Sequence, residues 1–400
     1  MKLIKILTIV LSVILLFSMV VSADVSSPTR YTTNDNELLS IMTNSQVDLG
    51  LRTRSAILME ASTGQILYEM NADEPLAPAS VTKIMSLLLV VEAVDAGKIN
   101  LDDMVTTSAH AASMGGSQIW LEVNEQMSVD DLLKAACIAS ANDATVALGE
   151  HMAGSEEGFV ALMNERAQEL GMNNTVFKNA SGLDEEGHVT TARDVALMSQ
   201  AILEHDIIKE YSSVWMDTLR GGETGLVNTN KLVRFYPGST GLKTGTTSNA
   251  GHCLSATAQR DGMELIAVVM GSENSDDRFN AARKLLDYGF ANYQLMTISI
   301  TEQDLPQIPV KNGVDEFIAF KPFDAPSVLI PKGKADSIEK IIDLPEFLDA
   351  PIEIGQEVGF VRIMMGEEEL MRVSVYSSTE IPKMRLGNAL WILIRALFTP

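Results

Sequence analysis

Pro78-Ala79-Ser80-Val81-Thr82-Lys83-Ile84-Met85 is the stretch whose pattern organises the rest of the chain. Ser80 stands at the head of an apolar helical run, Ile84–Val94, and residues three apart on a helix share a face, so the Lys83 amine is brought to the Ser80 hydroxyl. At a helix N-terminus Ser80 also meets free backbone N–H groups and the positive end of the dipole, where an oxyanion is stabilised. A serine hydroxyl is a poor nucleophile until a base takes its proton. No His-Asp pair is evident in the sequence, which leaves Lys83 as the candidate base. Its ammonium form cannot serve, but burial and a second nearby cation both disfavour protonation, so a site that brings Lys243 near Lys83 would lower its pKa in the useful direction.

Working outward, two further motifs follow in order. Ser140-Ala141-Asn142 comes after the helical run Leu132–Ala139, and Lys243-Thr244-Gly245 sits on a predicted strand. Ser140 is a candidate proton relay and Asn142 a candidate holder of a substrate amide. Lys243 and Thr244 suit a substrate carboxylate, and Gly245 leaves room for a chain to lie along the strand. Each motif alone arises often as a helix cap or a solvated turn; the three together, in this order and on these elements, are specific.

The intervening pattern predicts an α+β domain over 51–296. Ala56–Glu60 and Gln65–Glu69 form a hairpin around Ala61-Ser62-Thr63-Gly64, and helical spacing runs from Val81 to about Glu204. Strands return at Thr240–Gly245, Cys253–Ala258 and Leu265–Met270, and a helix from Asp277 to about Tyr288 closes the unit. Strands at both ends of a helical middle imply one antiparallel sheet completed by the two ends of the unit and packed against a helical cluster. From 297 to 380, short stretches such as Pro306–Val310, Ser327–Pro331 and Val358–Met365 predict a small all-β domain.

The chain has 400 residues and a formal charge of −23, with 46% hydrophobic and 21% charged residues. That is a globular balance, and the acid excess argues against a general nucleic-acid-binding role. Cys137 and Cys253 match no metal motif; packed free thiols are expected, although an exported chain permits a disulfide. The first 23 residues carry Lys2 and Lys5, an apolar run from Ile6 to Val21, and Val21-Ser22-Ala23, as a secretory signal cleaved after Ala23 does; an uncleaved anchor is the alternative. Residues 24–50 are a polar lead-in. The segment 381–400 predicts an amphipathic helix, with Arg385, Asn388 and Arg395 opposite an apolar arc. At roughly 24 Å for residues 383–398 it suits lying in a membrane surface better than crossing it; docking on the protein's own core is the other option. The basic tail on an acidic body favours an outward-standing enzyme tethered to an anionic surface.

With these residues in place, the sequence resembles the low-molecular-mass penicillin-binding proteins of the D-alanyl-D-alanine carboxypeptidase family. The three motifs match the set shared by penicillin-binding proteins and class A β-lactamases, with Ala141 in place of Asp. Thr240-Gly241-Leu242 before Lys243, and Thr175–Asn179 followed by Gly182-Leu183, extend the likeness. The resemblance implies a β-lactamase/transpeptidase-like domain and acylation of Ser80 by the D-Ala-D-Ala end of a peptidoglycan pentapeptide. Release of D-Ala and hydrolysis of the acyl-enzyme follow. It further implies inhibition by β-lactam antibiotics, no cofactor or metal, and work on the outer face of the cytoplasmic membrane. The backbone N–H groups of Ser80 and Thr246 would form the oxyanion hole, and Arg278 would assist with the terminal carboxylate. His188 and Asp194 are expected to support the loop edging the site, and Asp184, Glu185 and Glu186 to be an exposed acidic run. An endopeptidase cutting cross-links would use the same motifs. A β-lactamase would need a deacylating Glu-x-x-x-Asn segment between Ser140 and Lys243, which is expected to be missing, and a non-catalytic wall-binding protein would not need the motifs at all.

Overall fold

Alternation of side chains along three adjacent strands decides the architecture, seen in a computed structural model that describes residues 47–321 and 325–387. In β1 (Ser55–Glu60), Ile57 and Met59 point to one face while Ala56 and Leu58 point to the other. The chain turns into β2 (Ile66–Met70). After the helical cluster of α1 (Lys83–Asp95), α2 (Val129–Ile138), α3 (Asn142–Ala153), α4 (Glu156–Glu169) and α5 (Ala192–Leu203), it returns as β3 (Ser239–Thr247), β4 (Gly251–Arg260) and β5 (Met263–Ser272). The five strands form one antiparallel sheet in the order β2-β1-β5-β4-β3. Early and late strands meet where β1 pairs with β5, Ser55 opposite Met270. The sheet is thus completed by both ends of the unit, as the sequence pattern predicts.

Each face of the sheet carries its own core. Ile57, Met59, Ile266, Val268 and Met270 face the helical cluster. Ala56, Leu58, Leu265, Ala267 and Val269 face α6 (Ser275–Asn292), which presents Phe279, Ala282, Leu286 and Phe290 at helical spacing. Asn274 caps α6 by accepting the Asp277 N–H at 2.9 Å. Gly289 lets it lie close: a Cβ there would meet Leu265 Cδ1 at 2.5 Å. Full burial of one such Leu or Phe is worth about 1.5–3 kcal/mol, so the two faces supply the main stabilisation of the frame that holds the site.

Beyond α6, β6 (Tyr293–Thr297) pairs with β7 (Ser327–Pro331), and β8 (Ile338–Asp343), β9 (Glu357–Met365) and β10 (Glu368–Tyr376) make a separate sheet. Ile330, Ile352, Val361, Ile363 and Val375 fill its core. Leu329, next in β7, turns the other way to the α6 side, and Lys332 Nζ donates to the Phe290 carbonyl at 2.6 Å.

Three departures from the sequence pattern have local causes. The stretch 81–204 is not helical throughout: Met104–Thr106 and Gln126–Ser128 pair as a hairpin, with one buried residue per strand, Val105 and Met127, too few to register as a period of two. A second hairpin, Met216–Leu219 with Thr224–Val227, alternates equally briefly. Pro306–Val310 contributes strand only at its end, where Val310 and Lys311 pair in parallel with Leu348 and Asp349; Pro306 and Pro309 have no N–H to give a ladder. Cys137 and Cys253 are free and buried. The signal segment 1–23, most of the lead-in and residues 388–400 of the tail lie outside the described residues.

Candidate active site

The chain approaches α1 through a tight 3-10 turn, Ala79–Thr82, rather than entering the α-helix at Ser80. Ala79 sits at φ 49°, in the left-handed region that side chains other than glycine avoid, and such strain persists only where surrounding packing enforces it. Two glycines enforce it here. A Cβ on Gly245 would come within 2.9 Å of the Pro78 carbonyl and 3.0 Å of the Ser80 nitrogen, and one on Gly182 within 1.9 Å of the Ala79 carbonyl. Gly245 thus has a packing use within the protein itself. Its missing side chain admits the nucleophile's own turn against β3, whatever else lies along the strand.

Lys83 opens α1 and is fully buried. Its Nζ lies 3.0 Å from Ser80 Oγ and donates to Asn142 Oδ1 and to the Ser181 carbonyl, both at 2.6 Å. A neutral amine has two N–H bonds and one lone pair; two acceptors take the former, and the lone pair is left for the serine hydroxyl. Burial first, and then the positive charge of Lys243, hold its pKa well below the ordinary lysine value, against an opposing pull from Asp143.

Asn142 begins α3 and is fixed from both ends, its Nδ2 donating to the Gly115 carbonyl at 2.6 Å and its backbone N–H to the Ser117 carbonyl at 2.7 Å. Ser140, two residues earlier, is buried at φ 63°. Among the described residues its hydroxyl is bonded to neither Ser80 nor Lys83. Lys243 is buried in β3, donates to the Thr244 carbonyl at 3.1 Å, and is lowered to about 8, chiefly by burial and further by Arg278, with Cys137 opposing. Thr244 Oγ1 donates to Thr229 Oγ1 at 2.6 Å. Arg278, in the first turn of α6, donates to the Gly245 carbonyl and Thr246 Oγ1, both at 3.1 Å, and to the Cys253 carbonyl at 3.3 Å. Burial lowers it to about 10, and its buried Nε has no partner. All nine residues singled out from sequence therefore belong to one constellation or stand immediately beside it.

Some other participants were not visible as motifs, while His188 and Asp194 were expected as loop supports. The Ser181 and Gly115 carbonyls position Lys83 and Asn142, and only the neighbouring glycines, Gly182 and Gly116, mark them. Asp143 accepts the N–H groups of Ile119 at 3.2 Å and Leu121 at 3.0 Å, clamping the loop in front of α3. Asp184 is more than an exposed acid: Thr247 Oγ1 donates to it at 2.6 Å, joining the 181–187 loop to the end of β3. His188 is a scaffold residue. The Lys178 N–H donates to its Nδ1 at 3.3 Å, Nε2 lies 2.9 Å from Thr82 Oγ1, and burial lowers its pKa to about 4. Asp194 accepts from the Asn174 N–H at 3.0 Å and from Thr175 Oγ1 at 2.7 Å. Burial raises the Cys137 and Cys253 thiols to about 12 and about 11, so neither is a nucleophile. A segment of Glu-x-x-x-Asn spacing does occur, contrary to expectation, at Glu169–Asn173. Glu169 ends α4 with its side chain 56% exposed and paired to Arg166 at 2.9 Å, away from these contacts.

A family model described as D-alanyl-D-alanine carboxypeptidase matches residues 41–274, and one described as penicillin-binding protein 5, C-terminal domain, matches 293–383. The chain is 43% identical over 340 residues to the D-alanyl-D-alanine carboxypeptidase DacF of Bacillus subtilis (strain 168), covering 84% of this chain and 87% of the relative. The chain belongs to the D-alanyl-D-alanine carboxypeptidase family. Penicillin binding protein 5 from Haemophilus influenzae superposes on this carboxypeptidase-family chain with a TM-score of 0.75 at 31% identity, over 83% of this chain and 98% of that one. Penicillin-binding protein D2 from Listeria monocytogenes, solved in an ampicillin-bound form, superposes with a TM-score of 0.55 at 35% identity, over 60% and 98%. The family's two-part plan is a sheet with helices followed by an all-β domain, and the cores described above divide in the same way.

Proposed function

We propose that this serine-type D-Ala-D-Ala carboxypeptidase removes the terminal D-alanine from peptidoglycan pentapeptide stems through an acyl-enzyme on Ser80. Lys83 carries the proposal: its buried amine lies 3.0 Å from Ser80 Oγ and has two other acceptors for the N–H bonds of its neutral form, which leaves the lone pair for the serine hydroxyl. The Ser80 oxygen attacks the carbonyl of the penultimate D-Ala while Lys83 takes its proton. Charge developing on the carbonyl oxygen is met by the backbone N–H groups of Ser80 and Thr246; support comes from Gly245, next to Thr246 in β3, where an added Cβ would meet the Ser80 nitrogen at 3.0 Å. The proton passes from Lys83 to the departing D-alanine nitrogen, with Ser140 as relay, and the same amine then activates water to release the acyl group. Asn142 holds Lys83 and a substrate amide. Lys243, Thr244 and Arg278 receive the terminal carboxylate, Thr244 through its hydroxyl and the two cations through charges that are buried with no acid paired to them among the described residues. A β-lactam enters by the same attack and acylates Ser80.

The wider plan we propose is export by the signal 1–23, a lead-in over 24–50, catalysis within 51–296, a β domain over 297–380 and attachment by 381–400. Its support is the pattern of basic and apolar residues at the two ends. Among the described residues no helix is long and apolar enough to cross a membrane. Ending the chain after Pro382 is expected to move the protein from membranes to the soluble fraction; retention on membranes would overturn the anchor. For the chemistry, mass spectrometry of D-Ala release from a pentapeptide is expected to show loss of release and of covalent penicillin labelling in Ser80→Ala. Unchanged release would remove Ser80 from the mechanism.

A further inference from the structure

Beside the catalytic constellation, the loop that supplies the Gly115 and Ser117 carbonyls to Asn142 carries a feature that the chemistry at Ser80 does not use. Asp143 holds the N–H groups of Ile119 and Leu121, and both side chains are buried, at 3% and 4% exposure. Trp120, pinned between them, is turned outward at φ 60° with 77% of its surface exposed. Exposing the largest apolar side chain and placing it in the left-handed region are both unfavourable to folding, so neither is explained by stability. An open groove of about 560 Å³ lies at its foot, within the size range of small-ligand sites.

The opposite wall comes from the Met216–Val227 hairpin. Arg220, also in the left-handed region at φ 52°, donates to Glu125 at 2.8 Å, to Thr224 Oγ1 at 2.9 Å and to the Ile119 carbonyl at 3.0 Å. Hairpin and loop are thereby locked together. Glu122 and Glu223 complete the lining. With three acids against one arginine the groove repels phosphate and carboxylate. It also offers donors and acceptors around a flat aromatic face. An ammonium only donates and needs little volume; a sugar ring has hydroxyls that both donate and accept, and an apolar C–H face for the indole.

We propose that Trp120 and this groove form a glycan subsite, in which a neutral pyranose of the strand bearing the stem peptide stacks on the indole while its stem reaches Ser80. The proposal rests on the D-Ala-D-Ala carboxypeptidase reading above. Its test compares kcat/KM for D-Ala release from a disaccharide-pentapeptide with that from the free pentapeptide, in the wild type, Trp120→Ala and Trp120→Phe. The wild type is expected to favour the disaccharide substrate, and Trp120→Ala to lower that preference about tenfold, equivalent to ~1.4 kcal/mol, with Trp120→Phe in between. Penicillin labelling of Ser80 reports that each variant is folded. No preference in the wild type, or an equal loss on both substrates in Trp120→Ala, overturns the glycan assignment, the second outcome placing the contact on the stem peptide. Failure of the wild type to release D-Ala from either substrate would instead overturn the underlying activity.

Discussion

Up to Asn292 the interior holds Lys83, Lys243, Arg278, Glu60, Asp143 and Asp194, each at 6% exposure or less; from Tyr293 onward the buried set among the described residues includes one polar side chain, Ser377. Both regions bury ample apolar surface, so a sound core does not demand the charges. Burying an ionisable group costs several kcal/mol unless it is neutralised or bonded. The first region meets that cost differently at each group. Asp143 and Asp194 are satisfied by backbone N–H groups and hydroxyls and serve as clamps. Lys83 and Lys243 have carbonyl and amide partners and, among the described residues, no carboxylate in ion-pair contact, and their pKa values fall. Perturbed cations without ion-paired partners therefore coincide with the proposed chemistry, and satisfied anions with the scaffold.

The sharpest way to break this contrast is to remove the amine. Lys83→Met keeps the length and apolar stem but no lone pair, and penicillin acylation of Ser80 is expected to slow by about 10²–10⁴-fold, the range for loss of a general base. A rate within threefold of wild type would reassign the base. Next in size is Gly245→Ala. The added carbon meets the Pro78 carbonyl and the Ser80 nitrogen at 2.9–3.0 Å, so the turn and its oxyanion N–H must shift. Acylation is expected to fall about 10²-fold, as on loss of an oxyanion donor, while urea denaturation still shows a folded chain.

What was legible in sequence follows the same division. Ser80, Lys83, Ser140, Asn142, Lys243 and Arg278 are proposed to act through side chains, most of them in short motifs, so a single chain displays them. The Ser181 and Gly115 carbonyls act through backbone, which every residue has, and only Gly182 and Gly116 hint at close approach. The Asp184 to Thr247 contact joins residues 63 apart in sequence, and local periodicity carries no information at that range. Trp120 was hidden for a different reason. A lone aromatic between Ile119 and Leu121 looks like core, and only the clamp by Asp143 turns it out. The five-stranded sheet was readable because its strands are long and alternate; Met104–Thr106 and Gln126–Ser128 are three residues each.

A smaller effect comes from pH. Both lysines are lowered, but they are needed in opposite states: Lys83 neutral as base, Lys243 charged for the carboxylate. For the free enzyme, kcat/KM on the pentapeptide is expected to rise as Lys83 loses its proton, well below the ordinary lysine range. It should then fall above pH of about 8 as Lys243 loses its own. Lys243→Arg, which stays protonated, is expected to lose the falling limb even if its overall rate is lower. A falling limb that survives unchanged in Lys243→Arg would assign it to another group.

The least effect on chemistry is expected where the interior holds no buried charge among the described residues. Ile363 in β9 is fully buried in the core of the second region, and Ile363→Ala removes three carbons there, at a cost of about 2–5 kcal/mol. Contact with the first region runs through Leu329 and Lys332 rather than through Ile363. Loosening the β domain should therefore lower its urea midpoint while penicillin acylation of Ser80 stays within twofold. If acylation fell in step with the midpoint, the two cores would unfold as one cooperative unit. The apolar domain would then stabilise the buried cations of the site instead of merely standing beside them.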